Sequence, residues 1–275
     1  MKKTKSINKL LLSYLFVFGA HIGYSQTFLQ ADSTQETYAL INSIMAPGYD
    51  VVETPDCKHT DFGPHITQVH DEELGKDVFA FHSHVNEDND RRKKEDRART
   101  EIKSYNQSPD SLIGTQGETV VYRWKFKISQ DFKPSKKFTH IHQIKAVGGS
   151  ESSIPTITIT LRKTSKEEKL QILHASNNDQ EEVAKEDLSK FKGQWIAVEE
   201  TITYGESGKS SYAIKLSNFN SGKSLLEFSS ENLRMWKTDA DFLRPKWGIY
   251  RSILEPSTIK DEIIFFADFE IQEVR

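Results

Sequence analysis

Short stretches of the chain alternate apolar and polar residues, which is the pattern of β-strands that bury one face. Between residues 120 and 128, for example, Tyr122, Trp124 and Phe126 alternate with basic side chains. Clusters of Gly, Asn, Asp and Ser separate these stretches, as turns do. The pattern predicts strands at residues 78–85, 97–103, 120–128, 138–146, 156–162, 169–174, 194–204, 212–217, 246–251 and 262–274.

One helix and one charged segment stand apart from this pattern. Residues 32–46 carry apolar side chains at helical spacing, after a candidate N-cap at Asp32 or Ser33 and before Pro47. Residues 86–97 are densely charged, and such a run usually forms a solvated, exposed loop. Many short strands, few helices and no internal repeat predict an all-β fold, a sandwich or jelly roll.

The N-terminal segment has the features of a secretory signal peptide. Four lysines precede an apolar run at residues 10–20, which is too short to favour the alternative of a membrane anchor. Gly23 and Ser25 then supply small residues at positions −3 and −1 of a cleavage site. We therefore predict a signal peptide over residues 1–25, cleaved near Ser25–Gln26, and a secreted (extracellular or periplasmic) protein with one domain over residues 26–275.

Charge and cysteine content narrow the class of protein further. Four of the 37 Lys and Arg residues lie in the predicted signal peptide, which leaves 33 against 40 acidic residues, a formal charge of −7. Such a chain is a poor general binder of nucleic acid or membrane surfaces, so any polyanion site must be a local cationic cleft. The lone Cys57 excludes an intramolecular disulfide, and we expect a monomer stabilised by its core.

Three predicted strands carry side chains suited to such a cleft. Alternation places Arg97, Arg99, Glu101 and Lys103 on one strand face, where Glu101 can hold an arginine through a charge-assisted fork. A wholly charged face is costly against a core, so it predicts a groove; the alternative is an exposed edge strand.

The other two strands lie at residues 140–145 and 246–251. Alternation puts Gln143 and Lys145 on one face of the first strand, with His140 and His142 on the other. In the second strand, residues 246, 248 and 250 (Lys, Gly and Tyr) share a face, and the glycine leaves room for a ligand near the backbone.

Taken in order, these strands resemble three motifs of the jelly-roll polysaccharide lyases, best known from alginate lyases. The family motifs are Arg-Thr/Ser-Glu-Leu-Arg, Gln-Ile-His and Tyr-Phe-Lys-Ala-Gly-x-Tyr, which match residues 99–103, 143–145 and 246–250 here. The third motif is also similar to the Lys-x-Gly-x-Tyr-Arg strand of heparin-lyase-like and glucuronan-lyase-like proteins. The resemblance runs from about Val78 to the C-terminus.

Two departures from the alginate lyase motifs bear on the substrate. Lys145 replaces the His of Gln-Ile-His, and Lys103 replaces the final Arg of the first motif. Residues 138–149 resemble the jelly-roll ulvan lyases of polysaccharide lyase family 28, where the resemblance implies a Lys/Tyr pair. The resemblance therefore favours ulvan as the acidic polysaccharide substrate, with glucuronan and alginate as alternatives.

The resemblance implies β-elimination at a uronate, with Lys145 as base and Tyr250 as acid. Lys145 must then lose its proton near neutral pH, which requires burial and cationic neighbours to lower its pKa toward roughly 7–8. If Lys145 only clamps a carboxylate, Tyr250 serves as both base and acid. The residues expected to contact the substrate are Arg97, Arg99, Glu101, His140, His142, Gln143, Lys246 and Arg251.

Two other classes of protein fit parts of the sequence. Two His-x-His pairs, at residues 82–84 and 140–142, have metal-ligand spacing, so a cupin-like metal enzyme with Glu87 or His174 as a further ligand is one alternative. A non-catalytic carbohydrate-binding module with Trp247 as an aromatic platform is the other. The lyase interpretation requires no cofactor or metal for the reaction and leaves open a structural Ca²⁺.

Overall fold

A computed structural model describes residues 25–34 and 36–274 of the chain. The predicted signal peptide therefore lies outside the described residues, apart from Ser25 at its end. The described residues form one α-helix, α1, and fifteen strands in the order β1 Gln26–Leu29, α1 Thr37–Met45, β2 Val52–Glu53, β3 Ile66–Asp71, β4 Lys76–Ser83, β5 Arg97–Lys103, β6 Thr119–Ile128, β7 Thr139–Gly148, β8 Ile157–Lys163, β9 Glu168–His174, β10 Glu181–Asp187, β11 Trp195–Thr203, β12 Ser211–Asn218, β13 Ser224–Ser230, β14 Ala240–Ser252 and β15 Glu262–Val274. Short 3₁₀ helices lie at Asp110–Leu112, Leu188–Lys190 and Pro256–Thr258.

The strands form two antiparallel sheets. The eight-stranded sheet has the order β13-β12-β11-β6-β15-β4-β3, with β1 also paired to β15. The seven-stranded sheet has the order β10-β9-β8-β7-β14-β5-β2. Neighbours in each sheet are mostly distant in sequence, as in a jelly roll, and this confirms the predicted fold class.

The core lies between the two sheets and is rich in aromatic side chains. Trp124, Phe126 and Phe266 of the eight-stranded sheet are buried, as are Trp247 and Ile144 of the seven-stranded sheet. Each large apolar side chain that leaves water contributes roughly 1.5–3 kcal/mol. Since Cys57 is a free, exposed cysteine, this packing and the hydrogen-bonded ladders stabilise the fold without a disulfide.

The helix and several strands differ from the prediction. The helix begins at Thr37, not directly after Asp32 or Ser33, because the Asp32 carboxylate accepts the backbone N–H of Thr34 in a local turn that precedes the helix. Five strands were not predicted: β1 and β2 are only four and two residues long, and β3, β10 and β13 face solvent over much of their length and show little apolar alternation. Strand β14 begins at Ala240, six residues before the predicted start, because Pro245 obscured its continuation.

The charged segment at residues 86–97 is only partly the exposed loop that the sequence predicts. The side chains of Asp88, Asn89 and Asp90 are buried, because each makes hydrogen bonds inside the protein. Asp90 accepts two hydrogen bonds from Arg99 of β5. The segment therefore packs beside the face of β5 that carries the charged residues.

Candidate active site

A cleft of about 330 Å³ lies on the face of the seven-stranded sheet that is turned away from the core. Its walls come from the central strands β5, β7 and β14, with Glu53 of β2 and the segment at residues 153–155 at its edges. One acidic residue, Glu53, lines it, against six cationic ones: Arg91, Arg97, Arg99, Lys145, Arg244 and Lys246. An acidic protein thus presents a local cationic cleft, as the charge argument requires.

The register of β5 against β14 explains which side chains meet there. Arg99 pairs with Tyr250, Glu101 with Gly248 and Lys103 with Lys246 across the two strands. Directly paired residues point to the same side of a sheet, so these side chains all face away from the core. The predicted face of β5 therefore meets the predicted face of β14.

A bulge in β7 changes the predicted parity of His140. His140 pairs with Thr160 of β8 and His142 with the adjacent Ile159, so Ile141 is an extra residue with no partner. The bulge turns His140 into the cleft, on the same side as Gln143 and Lys145. The expectation that His140 and His142 share a face is therefore wrong.

Buried Glu101 organises the charged groups at the floor of the cleft. Its carboxylate accepts hydrogen bonds from Gln143, from Arg99 and, at 2.6 Å, from Lys246 Nζ. Burial alone would raise the pKa of Glu101, but the charges of Lys246 and Arg99 outweigh it and lower that pKa. Glu101 is thus an ionised anchor for three cleft side chains, and it positions them from below.

Glu53 and Asp90 are further acidic anchors, and the sequence did not single them out. Glu53 accepts hydrogen bonds at 2.7 Å from Lys246, Lys103 and Arg91. Burial opposes the ionisation of Glu53, but these neighbouring cations hold its pKa well below the usual range. Both carboxylates come from segments without strong periodicity, so only the fold brings them to β5.

Lys145 combines cleft exposure with a lowered pKa. Burial and the positive charges of Lys246, Arg244 and Arg99 lower the pKa of Lys145 to about 8. Its Nζ donates a hydrogen bond to the backbone carbonyl of Ser153 at 2.8 Å. A substantial fraction of Lys145 is therefore neutral at mildly alkaline pH, which is what a general base requires.

Tyr250 lies in the same cleft between two arginines. Its phenol oxygen accepts a hydrogen bond from Arg97 Nη1 at 3.0 Å, so its own proton remains available for donation. The guanidinium of Arg99 lies 3.6 Å from the centre of the Tyr250 ring, and Phe138 packs against the ring at 5.3 Å. These contacts position the hydroxyl without consuming its proton.

His140 faces the cleft as a neutral imidazole. Burial, opposed by the charge of Glu101 and aided by Arg162 and Arg99, lowers the pKa of His140 to about 3. Its Nδ1 is buried and has no hydrogen-bond partner in the part of the chain that the structure describes. At neutral pH this group can exchange a hydrogen bond with a ligand but carries no charge.

Three predicted contact residues do not line the cleft, which corrects the expectation for them: Glu101 lies buried beneath it, and His142 and Arg251 lie on the core side. The His142 side chain is fully buried in the core, where its Nε2 lies 2.8 Å from Glu200. Arg251 is also buried, on the core side of β14, and donates to Ser83 and to the carbonyl of Lys260. Strand alternation explains the positions of His142 and Arg251. Each is next in its strand to a residue whose side chain faces the cleft, so its own side chain faces the core.

Gly248 has a different role from the one predicted. A Cβ atom added there would lie 2.1 Å from the carbonyl oxygen of Thr100, and Gly248 has a φ of 147°. The space beside it is filled by the backbone of β5, not open to a ligand. Glycine is required because the two strands approach each other closely at this point.

Arg244 is a cleft residue that the predicted strand bounds omitted. Its guanidinium lies 4.9 Å from the ring centre of Tyr105, and among the described residues its buried Nε and Nη1 have no hydrogen-bond partner. Arg244 lines the cleft, where a guanidinium suits a ligand carboxylate or sulfate. The signal was present, since Arg244 has the same strand parity as Lys246 and Tyr250.

The predicted pair His140 and His142 cannot share an ion as in a cupin-like site, because His140 lines the cleft and His142 lies on the other side of β7. His142 lies in the core, and His174 Nε2 lies 2.9 Å from the carbonyl oxygen of Arg234. Trp247, the predicted platform of a binding module, is fully buried in the core. Neither alternative has the residues that it needs in the cleft.

Comparisons with known proteins bear on the family and the fold of this chain. A family model described as polysaccharide lyase matches residues 47–270. A search of curated proteins found no match. In the part of the chain that the structure describes, no helix is long and apolar enough to cross a bilayer.

Solved structures of lyases share the fold. The endo-β-1,4-glucuronan lyase of the fungus Trichoderma reesei is 14% identical, with a TM-score of 0.54 over 82% of this chain and 90% of its own. The family 14 alginate lyase of Aplysia kurodai is 14% identical, with a TM-score of 0.57 over 89% and 97%. An alginate lyase of family 7 is 17% identical, with a TM-score of 0.52 over 82% and 94%. With the family match over most of its length and a cationic cleft on a jelly roll, the chain belongs to the polysaccharide lyases.

Proposed function

We propose that this lyase cleaves ulvan by β-elimination, with Lys145 as base and Tyr250 as acid. The observation that carries the proposal is a lysine with a pKa lowered to about 8 in one cleft with a tyrosine hydroxyl. The family match supports the reaction class, a lyase acting on uronate-containing polysaccharide.

Each step of the elimination has a group in the cleft. The neutral Lys145 takes the proton from C5 of the uronate, and the electrons of that bond form the C4–C5 double bond. The C4–O bond breaks, and Tyr250 donates its proton to the departing glycosidic oxygen. Arg99, Gln143 and Arg244 stabilise the charge that develops on the uronate carboxylate; one such donor is typically worth about 100- to 1,000-fold in rate.

Arg244→Ala is expected to weaken substrate binding more than it slows the chemistry. A hydrogen bond to a charged group contributes about 1.5–3 kcal/mol to binding. Its loss corresponds to roughly a 10- to 100-fold lower kcat/KM, mainly through a higher KM. Steady-state kinetics on the polymer measures this. Arg123→Ala, on the other sheet, is the matched control and should keep the wild-type KM; an unchanged KM in Arg244→Ala would remove Arg244 from the binding site.

Ulvan is expected to be cleaved faster than alginate or glucuronan. The proposal is supported by Lys145 in place of the alginate lyase histidine and by the ulvan-lyase-like residues 138–149. The six lining cations also suit a glycan that carries sulfate as well as carboxylate. A panel of the three polymers, read by absorbance of the unsaturated product, tests this; turnover of alginate or glucuronan with ulvan inert would contradict the substrate and leave the reaction class in place.

We also propose that the chain is exported and processed near Ser25–Gln26. The basic segment, the apolar run and the small residues before Gln26 support export. An enzyme that cleaves a polymer outside the cell must be exported. N-terminal sequencing of the protein secreted by a bacterial host identifies the processed end, and a protein that still begins at Met1 would contradict the proposal.

A further inference from the structure

Three histidines and one aspartate form a cluster outside the cleft, where β4 ends. His59 and His65 lie between β2 and β3, His84 directly follows β4, and Asp88 lies in the segment before β5. One nitrogen or oxygen atom from each residue lies within 4.8 Å of all the others. Only His84 of this cluster belongs to the histidine pairs that the sequence singled out.

The three imidazoles converge on a single carboxylate oxygen. His59 Nδ1 and His65 Nε2 each lie 3.0 Å from Asp88 Oδ1, and His84 Nδ1 lies 3.3 Å from both oxygens of that carboxylate. The two oxygens offer about four lone pairs, so hydrogen bonds from the three rings and from the backbone N–H of His84 would use all of them. A cation at the centre would instead use a lone pair from each of the four atoms.

From this convergence we infer that His59, His65, His84 and Asp88 bind a zinc ion. In tetrahedral zinc sites the bonds are about 2.0–2.1 Å, so neighbouring ligand atoms lie about 3.3–3.4 Å apart. The distances to Asp88 Oδ1 differ from this by a few tenths of an ångström, which small side-chain adjustments can supply. Three imidazoles with one carboxylate favour zinc over calcium, which takes six to eight oxygen ligands.

A second shell of hydrogen bonds orients the ligands. His65 Nδ1 lies 2.7 Å from Asp56 Oδ1, and Asp56 also accepts a hydrogen bond from Tyr38. With zinc bound, this contact would hold the ring proton of His65 on Nδ1 and leave the lone pair of Nε2 for the metal. The other oxygen of Asp88 accepts the backbone N–H of His84 at 2.6 Å.

The site is closed, which indicates a structural metal. The side chains of His65 and Asp88 are fully buried, and the Phe62 ring lies 4.8 Å from His65 and 4.3 Å from His84. Four protein ligands leave no open position for a reacting water. The ion would join the segment after β2 to the segment before β5, whose Asp90 holds Arg99 of the cleft.

Metal content of the full chain, produced without a polyhistidine tag, tests the inference. We expect about one zinc per chain by elemental mass spectrometry. His59→Ala removes a partly exposed ligand and is expected to lower zinc content at least about tenfold. His70→Ala is the matched control, because His70 lies half exposed on β3, where it pairs with Asp77 and is not part of the cluster; it should keep its zinc.

Thermal melting of the metal-stripped proteins gives a second measurement that is independent of lyase activity. Zinc at about 100 times its Kd should raise the Tm of the wild type and His70→Ala by about 5–10 °C, and calcium should not. Each protein is compared with itself, so a lower starting Tm in His59→Ala does not obscure the result. Equal zinc binding by His59→Ala and the wild type, a zinc-free wild type that gains no stability from zinc, or a response to calcium alone would overturn the inference.

Discussion

Lys145→Arg is expected to be as inactive as Lys145→Ala, with kcat/KM lowered by about 100- to 10,000-fold in both. Arginine keeps the positive charge and can still bind a carboxylate, but its guanidinium does not lose a proton near neutral pH. The two variants therefore separate a base from a carboxylate clamp. Initial rates of unsaturated-product formation measure the effect, and binding of the polymer should change little because the other cleft cations remain.

Lys185→Arg is the control, since Lys185 lies exposed on edge strand β10 of the same sheet. If Lys145→Arg keeps most of its activity while Lys145→Ala loses it, Lys145 is a clamp. Tyr250 would then be the base as well as the acid.

The pH dependence of the wild type follows from the same pKa. The base must be neutral, and the neutral fraction of Lys145 rises as pH increases toward its pKa of about 8. We therefore expect kcat/KM to rise about tenfold per pH unit below this value and to level off above it. A flat profile from pH 6 to 9 would contradict Lys145 as the base, because this range spans its pKa of about 8.

Tyr250→Phe is expected to lower kcat/KM by about 100- to 10,000-fold, because it removes the transferable proton and keeps the ring. The contact between the ring and the guanidinium of Arg99 is retained, so the cleft should stay folded. Tyr49→Phe, at an exposed tyrosine, is the control.

A synthetic uronate with an aryl oxide as the leaving group on C4 makes the assignment sharper. Such a group departs without protonation, so the substrate should recover most of the activity of Tyr250→Phe but not that of Lys145→Arg. Recovery in both variants, or in neither, would contradict the separation of roles between base and acid.

The strands that carry Lys145 and Tyr250 were predictable because their local pattern is strong. Strand β5 has the predicted bounds, and simple alternation placed its charged residues on the face that forms the cleft. The same alternation grouped Lys246 with Tyr250 and separated them from Arg251. Where the strand is regular, the period of two residues decides which side chains meet.

His140 and Gly248 show where this reasoning fails. The extra residue Ile141 in β7 reverses the parity of His140, and nothing in the local sequence marks a bulge. Gly248 is required by the backbone of β5 at Thr100, which comes from a distant part of the chain. Both features arise from the pairing of strands, which periodicity within a single strand does not report.

Local periodicity and side-chain chemistry were thus sufficient for the all-β class and the cationic strand faces, whereas the assignment of Lys145 and Tyr250 as a catalytic pair came from the family resemblance and stays a prediction. Only the folded chain brought Glu53, Asp90 and Arg244 to that pair, and only it gathered His59, His65 and Asp88 around His84. The physical reason is that strand periodicity is a short-range property, whereas ion pairing and metal ligation depend on groups that the sheet topology brings together from distant segments.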